Sequence, residues 1–178
     1  VHSGDASGIV PSTFRVARQL LDRLEDAASG RVLPAELSVD IPPERAEQVR
    51  RAAAVLGADL ASKFPFIPGA RAAGDDPVEL LLARTWQPQL EVTGAAGFPR
   101  IEDAGNVLRP HSALKLSMRL PPTCDPDAAA EAMKRVLEKD PPYGARVRFD
   151  YEQTGAGWNA PDTPSWFDDS VAAASKAY

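Results

Sequence analysis

The sequence predicts an α+β domain, on three observations. Apolar residues recur at helical spacing after Thr13 and again after Pro126. They alternate with polar ones from Trp86 to Val92, from His111 to Leu120 and from Val147 to Tyr151. The resulting order is helix, strand, strand, helix, strand, which fits an antiparallel sheet backed by helices. At 178 residues and 44% hydrophobic, the chain is long enough to bury a core.

The first helix opens at Pro11-Ser12-Thr13. Phe14, Ala17, Leu20, Leu21, Leu24 and Ala28 form its apolar stripe, and Gly30 stops it. A second helix starts after Pro42-Pro43, with Ala46, Val49, Ala53, Leu56 and Leu60 on one face. Residues 63–76 carry the Gly, Pro and Ala of a loop. Asp76-Pro77 then reads as cap and first turn of a short helix from Val78 to Arg84.

From Trp86 the period is two, with Trp86, Pro88, Leu90 and Val92 on one side. The prolines mark an edge strand. Gly94, Gly97 and Pro99 read as the loop after it. From His111 to Leu120, Leu114, Leu116, Met118 and Leu120 point one way, and Ala113, Lys115, Ser117 and Arg119 the other. Asp125-Pro126 opens a helix that buries Ala129, Met133, Val136 and Leu137. Pro141-Pro142-Tyr143-Gly144 breaks it. Val147, Phe149 and Tyr151 then alternate with Arg146, Arg148, Asp150 and Glu152 as a third strand. Residues 155–164 read as linker, and Ser165 caps a last amphipathic helix containing Trp166, Phe167, Val171 and Ala174.

These elements form a ferredoxin-like two-layer sandwich, an antiparallel sheet with helices on one face, carrying a helical insertion at about 31–84. Such a split βαβ unit needs one strand before its first helix. The chain opens at Val1 with no such strand and no charged-then-apolar leader. The expectation is a piece excised from a longer protein.

Composition excludes several functions. A net charge of -5 argues against a nucleic-acid or membrane-surface partner. No apolar run reaches the roughly 20 residues that span a bilayer. The single cysteine, Cys124, permits no internal disulfide and fits a reducing, cytoplasmic compartment. With only His2 and His111, no close-spaced histidine pair or HExxH motif is present to bind a hydrolytic metal. Cys124 precedes a helix start, where a thiol can be activated, but it reads more simply as a small packed residue.

Four segments carry a family resemblance. They are His2-Ser3-Gly4-Asp5-Ala6-Ser7-Gly8; Arg84-Thr85-Trp86-Gln87-Pro88-Gln89-Leu90-Glu91-Val92-Thr93-Gly94; Gly105-Asn106-Val107-Leu108-Arg109-Pro110 with Lys115-Leu116-Ser117-Met118-Arg119-Leu120-Pro121-Pro122; and Asp140-Pro141-Pro142-Tyr143-Gly144-Ala145 with Gly157-Trp158-Asn159-Ala160-Pro161. In this order the chain resembles the lid and dimerisation domain of the dizinc metallopeptidases. That family includes carnosinases, acetylornithine deacetylase, succinyl-diaminopimelate desuccinylase and glutamate carboxypeptidase. The carnosinase-like branch fits best, because it also has a long insertion before the second segment. Ser7-Gly8 departs from the family's double glycine.

The resemblance implies a division of labour. Residues 1–154 would be the lid, and 155–178 the linker and first helix returning to a catalytic domain. That domain would hold two zinc ions; this fragment would hold no metal or other cofactor and be inactive alone. Its partners would be its own catalytic domain, a second copy of itself in a homodimer, and a small peptide or N-acyl amino acid substrate.

By the same resemblance, His2 would donate to the oxyanion in the partner subunit's active site. Read without it, His2 is a frayed terminal residue. Asn106 matches an asparagine that contacts substrate, and is otherwise a turn-forming Gly-Asn residue. Arg119 matches an arginine that grips a substrate carboxylate, a task suited to a bidentate fork, and is otherwise a solvent-facing strand residue. The alternative from another class is a free-standing ferredoxin-like binding or regulatory module with no hydrolase activity.

Overall fold

The computed structural model describes residues 1–57, 59–151 and 154–177. Seven α-helices lie among them: α1 (Ser3–Ala6), α2 (Thr13–Leu21), α3 (Pro43–Leu56), α4 (Asp59–Ser62), α5 (Pro77–Thr85), α6 (Pro126–Glu138) and α7 (Ser165–Ala177). Two strands, β1 (Gln89–Ala96) and β2 (Ala113–Arg119), pair antiparallel, with Leu90 opposite Met118 and Val92 opposite Leu116. The fold is α+β, as expected.

Helix starts follow their local chemistry. Ser12 accepts from the Arg15 N–H at 3.2 Å and caps α2. Asp76 accepts from Val78 at 2.8 Å, with Pro77 in the first turn of α5. Asp125 accepts from both Asp127 and Ala128 at the start of α6. Each side chain satisfies a donor that the first helical turn leaves free.

The core lies between the sheet and α2 with α6. Val16 and Leu20 of α2, Leu90 of β1, and Ala129, Ala132, Met133 and Leu137 of α6 are buried together. Leu116 and Met118 of β2, and Leu120 just after it, pack against them, in the inward parity read from the sequence. Val136 is half-buried at the margin.

Four local readings need correction. The first helix ends at Leu21, short of Gly30. Leu24 is fully buried, and the chain turns through Asp26–Gly30 so that Glu25 can bridge to Val32. Asp26 holds that turn by accepting from the Ser29 N–H at 2.8 Å, and Gly30 takes φ +72. Hydrophobic spacing continued past the point where tertiary packing ended the helix.

Phe14, read as core, is 51% exposed, because Val16 and Leu20 carry the buried face of α2. Trp86 belongs to the end of α5, where its N–H donates to the Leu82 carbonyl, and not to a strand. The strand instead continues through Gly94 to Ala96, across an irregularity between Val92 and Gly94. The loop begins at Gly97. A Cβ there would meet the His111 carbonyl oxygen at 2.6 Å, and φ is +87, so only glycine fits.

The fourth correction concerns the last strand. Residues 145–151 join no ladder among the described residues, although Ala145, Val147 and Phe149 alternate inward against the core as expected. The Phe149 N–H donates to the Glu138 carboxylate at 2.8 Å. Glu152, read as the last residue of that strand, lies outside the described residues.

Arg23 joins the first and last thirds of the domain. Its guanidinium donates to the carbonyls of Val136 (3.1 Å), Lys139 (2.5 Å) and Asp140 (2.7 Å). Val136 lies in the last turn of α6, whose carbonyls lack intrahelical partners, and Lys139 and Asp140 follow as its cap and the next residue. The corner that follows places Asp140 and Tyr143 in left-handed backbone, at φ 43 and 58. α3 and α5 of the insertion pack on each other. α7 has no buried residue.

Candidate functional site

His2 is exposed at the head of α1. Its Nδ1 accepts from the Gly4 N–H at 3.1 Å. A ring nitrogen that accepts carries no proton, so in the neutral ring the proton sits on Nε2. Nε2–H is therefore left as the outward donor, with the ring oriented by the bond at its other nitrogen.

The backbone around His2 is pinned as well. His2 pairs antiparallel with Val107. The Ser3 N–H donates to the Asn106 carbonyl at 2.8 Å, and the Leu108 N–H donates to the Val1 carbonyl at 3.0 Å. Two residues more than 100 positions apart, His2 and Asn106, are thereby neighbours. The sequence named both but contained no local signal that they meet. The Ser7-Gly8 departure is easily accommodated: Ser7 has φ -59, and only Gly8 uses the left-handed region, at +81.

Arg119 stands apart from that pair. It is exposed at the far end of β2, opposite Gln89. The span from Ala113 to Arg119 is roughly 20 Å at about 3.3 Å per residue. Within one chain the structure joins His2 to Asn106 and leaves Arg119 at the other end of the strand.

The other chemically capable groups are structural. Cys124 is buried, its Sγ 3.6 Å from the Glu36 carbonyl, and burial together with the neighbouring Asp125 pushes the thiol up. A thiol so placed is not an activated nucleophile. His111 is exposed, and its carbonyl packs against Gly97. Hydrogen bonds from Gln19 and then Arg15 lower the Tyr143 hydroxyl, at the corner after α6. Among the described residues no group of three or more His, Cys, Asp or Glu could hold a metal ion. No helix among them is long and apolar enough to cross a membrane.

A surface feature escaped the sequence reading. The exposed Phe14 and Phe98 rings meet edge to face at 6.0 Å, and the Arg18 guanidinium lies 5.6 Å from the Phe14 ring centre. Helical spacing assigned Phe14 to the core; only the contacts place it on the surface.

The peptidase dimerisation domain matches residues 1–145. The chain belongs to that family. No curated protein matches it. Solved structures do. This dimerisation domain is similar to human carnosine dipeptidase 1, with a TM-score of 0.57 and 21% identity over 78% of this chain and 29% of that one. It is similar to the dipeptidase Dug1p from Saccharomyces cerevisiae, with a TM-score of 0.55 and 19% identity over 78% and 28%. It is also similar to the metallo-carboxypeptidase Sso-CP2 from Sulfolobus solfataricus, with a TM-score of 0.54 and 21% identity over 78% and 36%. At these identities the likeness is one of fold. The dimerisation domain spans about a third of those chains or less.

Proposed function

We propose that this domain is the lid of a zinc-dependent exopeptidase or amidohydrolase, of the dipeptidase or deacylase kind. It would pair with a second copy and lend His2, Asn106 and Arg119 to substrate. The observation that carries the reading is the family match over residues 1–145 together with the His2–Asn106 bridge inside it. In this reading 1–154 is the lid, and 155–178 leads back to a catalytic domain of the parent, in a cytoplasmic enzyme.

The described residues do not fit a zinc site, so two zinc ions would belong to that catalytic domain. Zinc there would polarise the scissile carbonyl. The lid's own part is electrostatic. A ring oriented through Nδ1 presents Nε2–H as a fixed donor, and a donor aimed at developing negative charge acts chiefly in the transition state. Asn106, held beside it by backbone pairing, would position substrate. Arg119 would take a carboxylate with its planar fork. The separation of Arg119 from His2 is compatible with the two serving different subunits' sites.

Pairing with a second copy is supported by the outer edge of β1, which has no strand partner among the described residues, and by the exposed Phe14–Phe98 pair. An unpaired edge is a template for a further strand. Light scattering over a range of concentrations should give a dimer; a strict monomer at high concentration would count against this part.

The trans role of His2 has its own test in the full-length parent. H2A should lower kcat on the order of 100-fold, with a smaller effect on KM. Mixing that variant with a second one whose metal ligands are destroyed should restore activity once subunits exchange. Intact metals then face an intact histidine across the interface in one of the two sites. Verified exchange without recovery would refute the trans role.

A further inference from the structure

The segment that its glycines and prolines mark as linker is tied to the rest of the domain. The Thr154 hydroxyl donates to the Asp127 carboxylate at 2.6 Å, at the start of α6. Gly157 lies so close to the turn after β2 that a Cβ would meet the Pro122 Cα at 2.6 Å and its carbonyl oxygen at 2.9 Å. The Ala160 carbonyl accepts from the Arg45 guanidinium of α3, and Asp162 stands 3.7 Å from the same nitrogen. The chain from Thr154 to Asp162 thus runs from the body of the domain to the insertion.

Arg45 is where the insertion meets that chain. Its side chain is only 13% exposed, although arginine is usually a surface residue. One terminal nitrogen donates to Gln48 Oε1 at 3.0 Å and the other to Ala160. Among the described residues no other side chain of α3 makes a hydrogen bond or ion pair beyond its own helix. Ala53, the buried residue of α3, lies outside the main core, and α3 packs on α5. The tie is also a shallow one. Arg45 Nε is buried with no hydrogen-bond partner among the described residues. An unpaired buried donor penalises the closed arrangement, and water satisfies it once the arrangement opens. Asp162 is 90% exposed, so its charge adds little.

We propose that 154–163 is a strap and Arg45 its latch. Gly157 seats the strap on Pro122, and the latched strap holds α3, with α5 packed on it, against the body. The position of the insertion and the path of the chain towards α7 are then set together, so that a displacement of either is felt at the other. The inference is independent of any hydrolase activity, and so is its test.

The experiment uses two variants of the 178-residue chain, one at each end of the strap. Arg45→Met removes the latch and keeps its bulk. Gly157→Ala touches nothing in α3 and lifts the strap off Pro122. Backbone order parameters are measured at Ala160 and Asp162, and amide exchange along α3, with Met133 and Leu137 of α6 as the internal reference. Either variant should drop the order parameters from about 0.85 to below about 0.6. Either should also speed exchange in α3 by about tenfold or more, with the two α6 amides unchanged. The decisive arm is Gly157→Ala, because a contact that is merely local would loosen the strap and leave α3 as it was. That outcome would overturn the proposal, as would Ala160 and Asp162 staying rigid in Arg45→Met. An equal rise at Met133 and Leu137 marks loosening of the whole domain and would overturn it too. If one variant does not fold, the other decides by the same readouts.

Discussion

α6 and α7 are each 13 residues long, and Ser165, expected to cap α7, is instead its first helical residue. Asp125 caps α6 through two backbone donors. α7 opens with Pro164 accepting from Phe167, and the Thr163 hydroxyl donates to Asp168 at 2.7 Å. Both carry apolar residues at helical spacing. Yet α6 buries Ala129, Ala130, Ala132, Met133 and Leu137, while α7 buries nothing. The difference teaches that a helix is specified locally, whereas its worth is decided by what covers its apolar face. α6 has the sheet and α2 to cover its apolar side chains, whereas among the described residues nothing buries those of α7.

The largest test of that contrast is Met133→Ala in α6. Truncating a buried Met should destabilise the domain by about 2–5 kcal/mol in urea unfolding. Arg23→Met comes next. Removing a charged donor from three carbonyls at the end of α6 should lower stability by about 1.5–3 kcal/mol, with faster amide exchange in the last turn of α6. Asp125→Ala removes the cap and should lower stability by about 1 kcal/mol. Trp166→Ala is the counterpart in α7. It should change the stability of this chain by no more than about 0.5 kcal/mol; a loss comparable to that of Met133→Ala would erase the contrast.

The smallest effect concerns the turn that ends α2. Hydrogen bonds from the Ser29 side chain and backbone hold the Asp26 carboxyl below its usual range. A lowered carboxyl stabilises the fold above its unfolded value, and that contribution fades as pH falls through the folded one. Asp26→Asn should therefore be slightly less stable than the parent near neutrality, and the gap should close in acid. Its neighbour Glu25 has the opposite sign, raised by burial and then by Glu91 and Asp26. A stability difference between Asp26→Asn and parent that widens in acid would contradict the assigned turn.

Legibility followed the range of the interaction. Helix starts at Ser12, Asp76 and Asp125 were readable because capping is settled within four residues. The inward parity of β2 was readable because side chains alternate by geometry. Where partners are distant, the reading slipped. Leu24 continued a helical spacing, but the Glu25–Val32 bridge turned the chain away. Val147–Tyr151 had a strand's alternation, yet a strand also needs a neighbour at its edge. The candidate site divides the same way. His2, Asn106 and Arg119 were named from motifs, and their chemistry follows from residue type. That His2 and Asn106 adjoin, and that Arg119 does not, depends on contacts across more than 100 residues.

By itself the sequence determined the α+β class, the positions of the capped helices, the inward face of β2 and the family resemblance. These rest on covalent geometry and on hydrogen bonds reaching a few residues. Only the tertiary structure decided where α2 stops, which face of α2 is buried, that Phe14 meets Phe98 at the surface, and that Arg23 closes the end of α6. The last two pair groups more than 80 positions apart. Such pairing is selected by burial and by the need of every buried backbone group for a partner, and local spacing does not encode which distant partner supplies it.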